Sequence, residues 1–192
     1  PYVLNGAVLI PRPETEELVQ WILDDFTKVP YLRVVDLGTG SGIIPISLQL
    51  AQPTWDVHGL DLSSDALATA RENGEKLGAK VNWLLGDMCT YGLPDWDLLV
   101  SNPPYIPLQE AETLDVQVRN HEPVMALFAP DEDPLLFYRS IAQRLVHAGA
   151  GKTVYLELNH EKAPEIGGLF SGLECTFKAD MQGKVRMLRV RT

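Results

Sequence analysis

From residue 31 onward, the chain alternates between two patterns of hydrophobic and polar positions. Short apolar runs bounded by turn residues predict buried strands, whereas apolar positions three and four residues apart predict helices. By these criteria the strands cover 34–36, 57–60, 81–85, 97–101, 153–158, 173–178 and 185–190, and the helices cover 43–51, 64–77, 134–147 and 162–170. Strands that alternate with helices predict a doubly wound α/β fold with a mostly parallel sheet, which binds its ligands beyond the carboxyl ends of the strands.

The first thirty residues follow a different pattern. Residues 2–10 are short and apolar, and Asn5-Gly6 is a turn signal, so a β-hairpin or an extended arm is predicted. The stiff segment Pro11-Arg12-Pro13-Glu14-Thr15 then leads into a helix that begins at Pro13 or Thr15. We therefore expect residues 1–30 to form an arm and a helix, and residues 31–192 to form one domain.

Composition and charge narrow the classes of function. The chain has 192 residues, of which 45% are hydrophobic, and its formal net charge is −10. This charge argues against direct contact with nucleic acid, because a protein that holds phosphates usually needs a basic face. The chain contains no apolar run long enough to cross a membrane. Cys89 and Cys175 lack metal-ligand spacing and favour a reducing compartment, so we expect a cytoplasmic protein with no metal site.

A glycine-rich loop, Asp36-Leu37-Gly38-Thr39-Gly40-Ser41-Gly42, joins the first predicted strand of this domain to the following helix. Glycines let the backbone turn tightly and let a ligand approach without interference from a Cβ atom. The spacing differs from the dinucleotide-binding pattern G-x-G-x-x-G, and no Gly-Lys-Ser/Thr sequence follows. A dehydrogenase and a phosphate-binding P-loop protein are therefore both disfavoured.

Acidic residues follow the next two strands. Asp61-Leu62 ends the second strand, and Gly86-Asp87-Met88 follows the third. A carboxylate at the first position can accept hydrogen bonds from two ribose hydroxyls, and one at the second can accept an adenine amino N–H. Either acid alone is more often a solvated loop residue. Their position at successive strand ends, beside the glycine loop, favours a site for an adenosyl ligand.

The fourth strand runs directly into Asn102-Pro103-Pro104-Tyr105, which we call the spur. Two prolines fix the backbone and prevent a helix from starting there. The side-chain oxygen of Asn102 and the carbonyl oxygen of Pro103 could each accept one N–H bond of a flat amino or amide group. The alternative is an ordinary loop that happens to contain two prolines.

The glycine loop and the two acids resemble those of class I S-adenosylmethionine-dependent methyltransferases. The sequence Asn-Pro-Pro-Tyr resembles the motif of enzymes that methylate planar nitrogens. Residues 8–16 together with residues 100–106 closely resemble the HemK/PrmC protein-(glutamine-N5) methyltransferases. The similarity extends over nearly the whole chain, including residues 118–123 and 133–138.

This resemblance implies a Rossmann-like sheet of seven strands, mostly parallel, with an antiparallel strand near the carboxyl terminus. It implies that S-adenosylmethionine is converted to S-adenosylhomocysteine, and that the substrate is the glutamine of the Gly-Gly-Gln motif in peptide-chain release factors. Carried onto this sequence, the cofactor-binding residues are Pro13, Thr15, Gly38, Thr39, Gly40, Ser41, Gly42, Asp61, Leu62, Asp87, Met88 and Asn102, and the catalytic residues are Asn102, Pro103, Pro104 and Tyr105. Residues 10–15 are expected to close over the cofactor, and the enzyme is expected to be a monomer.

Two segments depart from the family pattern: Leu158-Asn159, and Met181-Gln182-Gly183-Lys184. We expect both to lie away from the cofactor and the spur. The small amino-terminal helical domain of the family has no counterpart in this sequence, which starts at Pro1, so we expect a fragment. Two alternatives stay open: an amino-group methyltransferase acting on adenine or guanine, and a non-catalytic S-adenosylmethionine-binding module. The acidic charge opposes the first, and the intact Asn102 and glycine loop oppose the second.

Overall fold

The computed structural model describes residues 2–6, 8–107, 123 and 127–192. Its helices are α1 (Pro13–Asp25), α2 (Ile43–Ala51), α3 (Ser64–Leu77), α4 (Leu136–Ala148) and α5 (Ala163–Gly168). Its strands are β1 (Arg33–Leu37), β2 (Asp56–Asp61), β3 (Val81–Leu85), β4 (Leu98–Ser101), β5 (Ile106–Pro107), β6 (Phe128–Ala129), β7 (Thr153–Glu157), β8 (Glu174–Ala179) and β9 (Val185–Arg191). A short 3-10 helix, His160–Lys162, precedes α5, which is shorter than the helix predicted over 162–170.

Seven strands form one sheet in the order β3-β2-β1-β4-β7-β9-β8. The pairs from β3 to β7 are parallel, whereas β9 runs antiparallel to both β7 and β8. This arrangement confirms the predicted fold class, including the antiparallel strand near the carboxyl terminus. The order of the strands reverses between β1 and β4, and the crevice beyond such a switch point is where open α/β sheets bind their ligands.

The core lies on both faces of this sheet. Neighbouring residues of β1 point to opposite sides, so Val35 joins the cluster that contains Tyr138 of α4, and Val34 joins the cluster that contains Ile22 of α1. All four side chains are at most 1% exposed. Because both faces are covered by helices, every residue of β4 is buried, which explains its purely apolar run before Ser101.

The amino-terminal segment forms an extended arm. Among residues 2–6 and 8–12 the structure has no strand, so the hairpin, one of the two predicted alternatives, is not formed. The side chain of Asn73 in α3 instead takes the place of a strand partner. Its Oδ1 accepts from Val3 N–H at 2.6 Å, and its Nδ2 donates to the carbonyls of Val3 at 3.1 Å and Ser41 at 3.0 Å. One buried amide therefore joins the arm, α3 and the glycine loop.

Residues 106–133, which lie between the strand predicted over 97–101 and the helix predicted over 134–147, contain two short strands. β5 and β6 pair in parallel, with Ile106 opposite Phe128 and Pro107 opposite Ala129. Most of the family-like segment 118–123, including His121, lies outside the described residues. Across the described part of the chain, no helix combines the length and the apolar character that a membrane span requires.

Candidate active site

A cavity of about 820 Å³ opens at the carboxyl edge of the sheet, beside the switch point. Most of the residues that the sequence predicts for the cofactor line it: Thr15, Gly38, Thr39, Gly40, Ser41, Asp61, Leu62, Asp87, Met88 and Asn102. The volume lies in the range of pockets that enclose a cofactor-sized molecule. Pro13, by contrast, lies in the first turn of α1, and Gly42 lies beneath the loop; neither lines the cavity.

The three glycines of the loop have positive φ angles, 75° at Gly38, 53° at Gly40 and 80° at Gly42. A Cβ atom on Gly38 or Gly40 would meet no atom within 4 Å, because both face open space. A Cβ atom on Gly42 would lie 2.9 Å from the Trp83 ring and 3.0 Å from Ile46. Gly40 therefore leaves room for a ligand, whereas Gly42 allows α2 to pack closely against β3.

Alanine substitutions should separate these two roles. We expect Gly42→Ala to lower the free energy of unfolding by about 2–4 kcal/mol, because it combines left-handed strain with overpacking. Gly40→Ala should cost only about 1 kcal/mol of stability, yet weaken S-adenosylmethionine binding by roughly tenfold or more, the cost of about one interaction. Urea unfolding and titration calorimetry measure the two quantities. Equal effects of both substitutions on stability would contradict the assignment.

Asp61 organises the loop at the end of β2. Its Oδ2 accepts from Gly40 N–H at 2.8 Å, and its Oδ1 accepts from Ser63 N–H at 2.9 Å. Each carboxylate oxygen has about two acceptor sites. Each oxygen can therefore accept a further hydrogen bond at the cavity wall, as two neighbouring hydroxyl groups of a ligand would require. At the end of β3, Asp87 Oδ1 accepts from Cys89 N–H at 2.7 Å, which fixes a second carboxylate at the same wall.

A third acid, Asp36 of β1, lies under the glycine loop with 0% exposure. Neither of its carboxylate oxygens has a partner with hydrogen-bond geometry among the described residues. Burial raises the pKa of Asp36 to about 7; the nearby Thr39 hydroxyl lowers it and the Asp61 carboxylate raises it further. Asp36 does not itself line the cavity, and a cation close to it would favour its charged form.

The spur leaves β4 at the cavity. Asn102 and Pro104 line the cavity, whereas Pro103 is buried. Tyr105 turns away from it and, with Tyr138 and Asn159, lines a second pocket of only about 20 Å³. Burial raises the pKa of Tyr105 to about 12, so this phenol stays protonated. The four predicted catalytic residues thus occupy both sides of one short, stiff segment.

Asn102 takes part in a buried hydrogen-bond chain. Its Nδ2 donates to Thr15 Oγ1 at 3.3 Å, and the Thr15 hydroxyl donates to Glu157 Oε2 at 2.7 Å. Glu157 ends β7 and is 2% exposed. Glu157 is not among the predicted site residues, although an acid directly after the strand-like run 153–156 is a signal that could have identified it.

The prediction that Leu158-Asn159 lies away from the spur is wrong for Asn159, which lines the small pocket together with Tyr105. The cause is the strand order, because β7 lies directly beside β4 and the chain that leaves β7 passes the spur. Sequence analysis also missed part of the cavity wall. The missed residues are Phe128 and Ala129 of β6, Pro130, Asp131 and Phe137 after it, and Gly6, Val8 and Leu9 of the arm, whereas Pro11, which also lines the cavity, belongs to the segment predicted to close over the cofactor.

Comparison with known proteins identifies the family. The profile of the methyltransferase small domain matches residues 16–119. A release factor glutamine methyltransferase from Lactococcus lactis is 38% identical over 98% of this chain and 71% of its own length. The chain belongs to the release factor glutamine methyltransferase family. A second relative with this name, from Enterococcus faecalis, is 40% identical over 88% of the chain and 61% of its own length, so the chain spans less than two thirds of that protein.

A solved structure supports the same fold. Magnesium protoporphyrin IX methyltransferase (ChlM) from Synechocystis PCC 6803, determined with bound SAM, superposes with a TM-score of 0.61 and 18% identity, covering 93% of this chain and 78% of that chain. Membership of the family supports the predicted enzyme class, an S-adenosylmethionine-dependent methyltransferase.

The residues present fit this cofactor. S-adenosylmethionine carries a sulfonium and an ammonium cation, two ribose hydroxyls and an adenine amine. The cavity wall offers the carboxylates of Asp61 and Asp87 and a loop whose glycines leave room for the ligand, and the unpartnered carboxyl of Asp36 is buried behind that wall.

Proposed function

We propose that this protein transfers a methyl group from S-adenosylmethionine to the side-chain amide nitrogen, N5, of the glutamine in the Gly-Gly-Gln motif of peptide-chain release factors. The observation that carries the proposal is the orientation of Asn102 at the cavity wall. Its amide nitrogen donates to Thr15, which leaves the amide oxygen available to accept an N–H from a substrate. The names of the relatives support release factors as the substrate class.

In the proposed complex, Asp61 would accept hydrogen bonds from the two ribose hydroxyls, and Asp87 would accept one from the adenine amino group. The glycine loop and Thr15 would contact the methionine part of the cofactor. When bound, the cofactor supplies an electrophilic methyl group on its sulfonium sulfur. Asn102 Oδ1 and the Pro103 carbonyl then each accept one N–H of the glutamine amide. An amide lone pair is delocalised into its carbonyl, and two acceptors on its hydrogens would hold the nitrogen so that this lone pair faces the methyl group.

The transfer itself needs little acid–base chemistry. With the cofactor held by Asp61, Asp87 and the glycine loop, its methyl group would pass from sulfur to the amide nitrogen oriented by Asn102 and Pro103, and the sulfur would keep the electron pair of the broken bond as S-adenosylhomocysteine. The methylated amide nitrogen then releases one proton to solvent or to a nearby acceptor. The main contribution of the protein is to hold the two reactants in line, which can lower a barrier by several kcal/mol. We also propose the cytoplasm as the compartment, since translation ends there in bacteria, and a monomer as the active form.

Transfer of a labelled methyl group from S-adenosylmethionine tests the proposal. Three acceptors are compared: a release factor, the same factor with the motif glutamine changed to alanine, and total RNA with DNA. We expect label only on the unaltered release factor. Label on RNA or DNA would instead support the nucleic-acid alternative, which the net charge of −10 disfavours. Cofactor binding without transfer to any acceptor would support a non-catalytic module.

A further inference from the structure

An asparagine amide has two similar ends with opposite hydrogen-bonding properties, and only one of them can accept an N–H bond. The proposed function requires that the oxygen of Asn102, and not its nitrogen, faces the substrate. Asn102 is only partly buried and lies at the edge of a large cavity, so packing alone leaves both orientations of the amide open. Some neighbour must determine which end faces the cavity.

Thr15 and Glu157 determine the orientation through the direction of two hydrogen bonds. A threonine hydroxyl has one hydrogen, and here Thr15 donates it to Glu157 Oε2 at 2.7 Å. Its oxygen can then only accept toward Asn102, and it accepts from Nδ2 at 3.3 Å. An ionised carboxylate cannot donate, so the chain runs in one direction, from Asn102 through Thr15 to Glu157.

The strand register places Glu157 for this task. β4 and β7 are parallel neighbours, with Ser101 opposite Leu156, so Asn102 and Glu157 each follow the last pair. Thr15 reaches the same point from the first turn of α1, at 3% exposure. Burying a carboxylate at the end of a strand is costly. Here it connects the spur and the helix after the arm, the two segments that carry the resemblance to the family.

We propose that Glu157 and Thr15 are positioning residues that hold the Asn102 amide with its oxygen toward the substrate. This inference rests on the proposed function for its catalytic consequence, but the orientation of Asn102 can be measured independently. If Glu157 were protonated, it could donate to Thr15, the Thr15 hydrogen would turn to Asn102, and the opposite orientation of the amide would be favoured.

The chain should therefore respond to pH. Burial raises the pKa of Glu157 to about 7; the Thr15 hydrogen bond lowers it and the charge of Glu14 in α1 raises it. The other ionisable groups that face it are Arg186 of β9, Tyr105 of the spur and Tyr138 of α4, and both tyrosines have raised pKa values, chiefly because they are buried. We expect the turnover rate to rise with pH as Glu157 ionises, through about pH 7.

Two matched pairs of variants test the positioning role. Thr15→Ser keeps the hydroxyl and should retain kcat within about threefold, whereas Thr15→Val removes it and should lower kcat by roughly 10- to 100-fold, the effect of losing one directed interaction. Glu157→Gln keeps an acceptor and should lose the rise of kcat with pH, whereas Glu157→Leu should lower kcat as Thr15→Val does. Thermal unfolding serves as the control for both pairs, and kcat is measured at saturating cofactor because Thr15 is itself proposed to contact the cofactor.

A readout that needs no activity distinguishes failure of this inference from failure of the proposed function. The Asn102 side-chain NH₂ signals, assigned in a ¹⁵N spectrum by their loss in Asn102→Asp, should titrate with Glu157 in the wild-type protein. They should not titrate in Glu157→Gln, and in Thr15→Val they should titrate only through the weaker direct hydrogen bond between the Asn102 amide and Glu157. The inference would be overturned if the pH dependence of the Asn102 signals were the same in the wild-type protein and in both variants. It would also be overturned if Thr15→Val and Glu157→Leu kept the full wild-type kcat. Titrating signals in a wild-type protein that methylates no release factor would uphold it and count against the proposed function alone.

Discussion

Replacing Asn102 with alanine should lower kcat for methylation of a release factor by roughly 10³-fold, the upper range for removing one preorganised hydrogen-bonding group from a reacting centre. The same change should alter the dissociation constant of S-adenosylmethionine by only a few fold. Asn102 is one of many residues that line the cavity, whereas it is the side chain proposed to accept an N–H of the target amide. Single-turnover transfer and titration calorimetry measure the two quantities separately.

The matched control is Thr39→Ala. Thr39 lines the same cavity from the glycine loop and is remote from the spur in sequence. We expect this variant to weaken cofactor binding more than it slows transfer at saturating cofactor. If Asn102→Ala instead lost cofactor affinity and kept its turnover rate, Asn102 would be a cofactor ligand without a role in the chemistry.

Replacing Asp36 with asparagine should change how stability depends on pH. Burial raises the pKa of Asp36 to about 7 in the folded protein, above the value of 3.8 for an ordinary aspartate. A group with a raised folded pKa contributes stability that is fully present below its unfolded pKa and is lost as pH rises through its folded pKa. Between about pH 5 and about pH 8, the wild-type protein should therefore lose on the order of 3 kcal/mol relative to Asp36→Asn.

Urea unfolding of both proteins without cofactor, across this pH range, gives the difference directly. Asp97→Asn is the control, and its stability difference from the wild-type protein should stay constant between about pH 5 and about pH 8. The hydrogen bonds from Arg33 lower the pKa of Asp97 to about 2, so that carboxylate contributes stability above its ordinary pKa and loses it only in acid. If the free energies of unfolding of the wild-type protein and Asp36→Asn depended on pH in the same way, the pKa of Asp36 would not be raised by its burial.

Local sequence was sufficient for the elements that follow one another closely around the cofactor site. The bounds of α2, α3 and β3 match their prediction, because their hydrophobic residues recur at regular spacing and turn or capping residues flank the helices. Gly42 precedes α2, Ser63 caps the start of α3, and Gly78 ends α3. The glycine loop, Asp61 and Asp87 were predicted for the same reason. Each directly follows a strand, and the carboxyl ends of parallel strands meet at one edge of a sheet.

Contacts between segments distant in sequence could not be predicted in this way. Glu157 lies beside Asn102 only because β7 is the neighbour of β4, and a reading of one strand at a time does not give the order of strands. Asn159 was misplaced for the same reason. The arm was ambiguous because its backbone partner is a side chain, Asn73, located on a helix and about seventy residues away in sequence.

The arm also explains why the family-like segment around residues 8–16 carries so much of the resemblance. Val8, Leu9 and Pro11 line the cavity, and Thr15 contacts both the spur and β7. A segment that lines the cavity and is also proposed to orient Asn102 has two reasons to be stiff. Its two prolines supply that stiffness.

The most direct test of the central claim is to locate the transferred methyl group. A release factor is incubated with S-adenosylmethionine and either the wild-type protein or Asn102→Ala, digested, and sequenced by tandem mass spectrometry. The account predicts one added methyl group on the side chain of the glutamine in the Gly-Gly-Gln peptide, with the wild-type protein only. A methyl group on any other residue, or equal modification by both proteins, would contradict it.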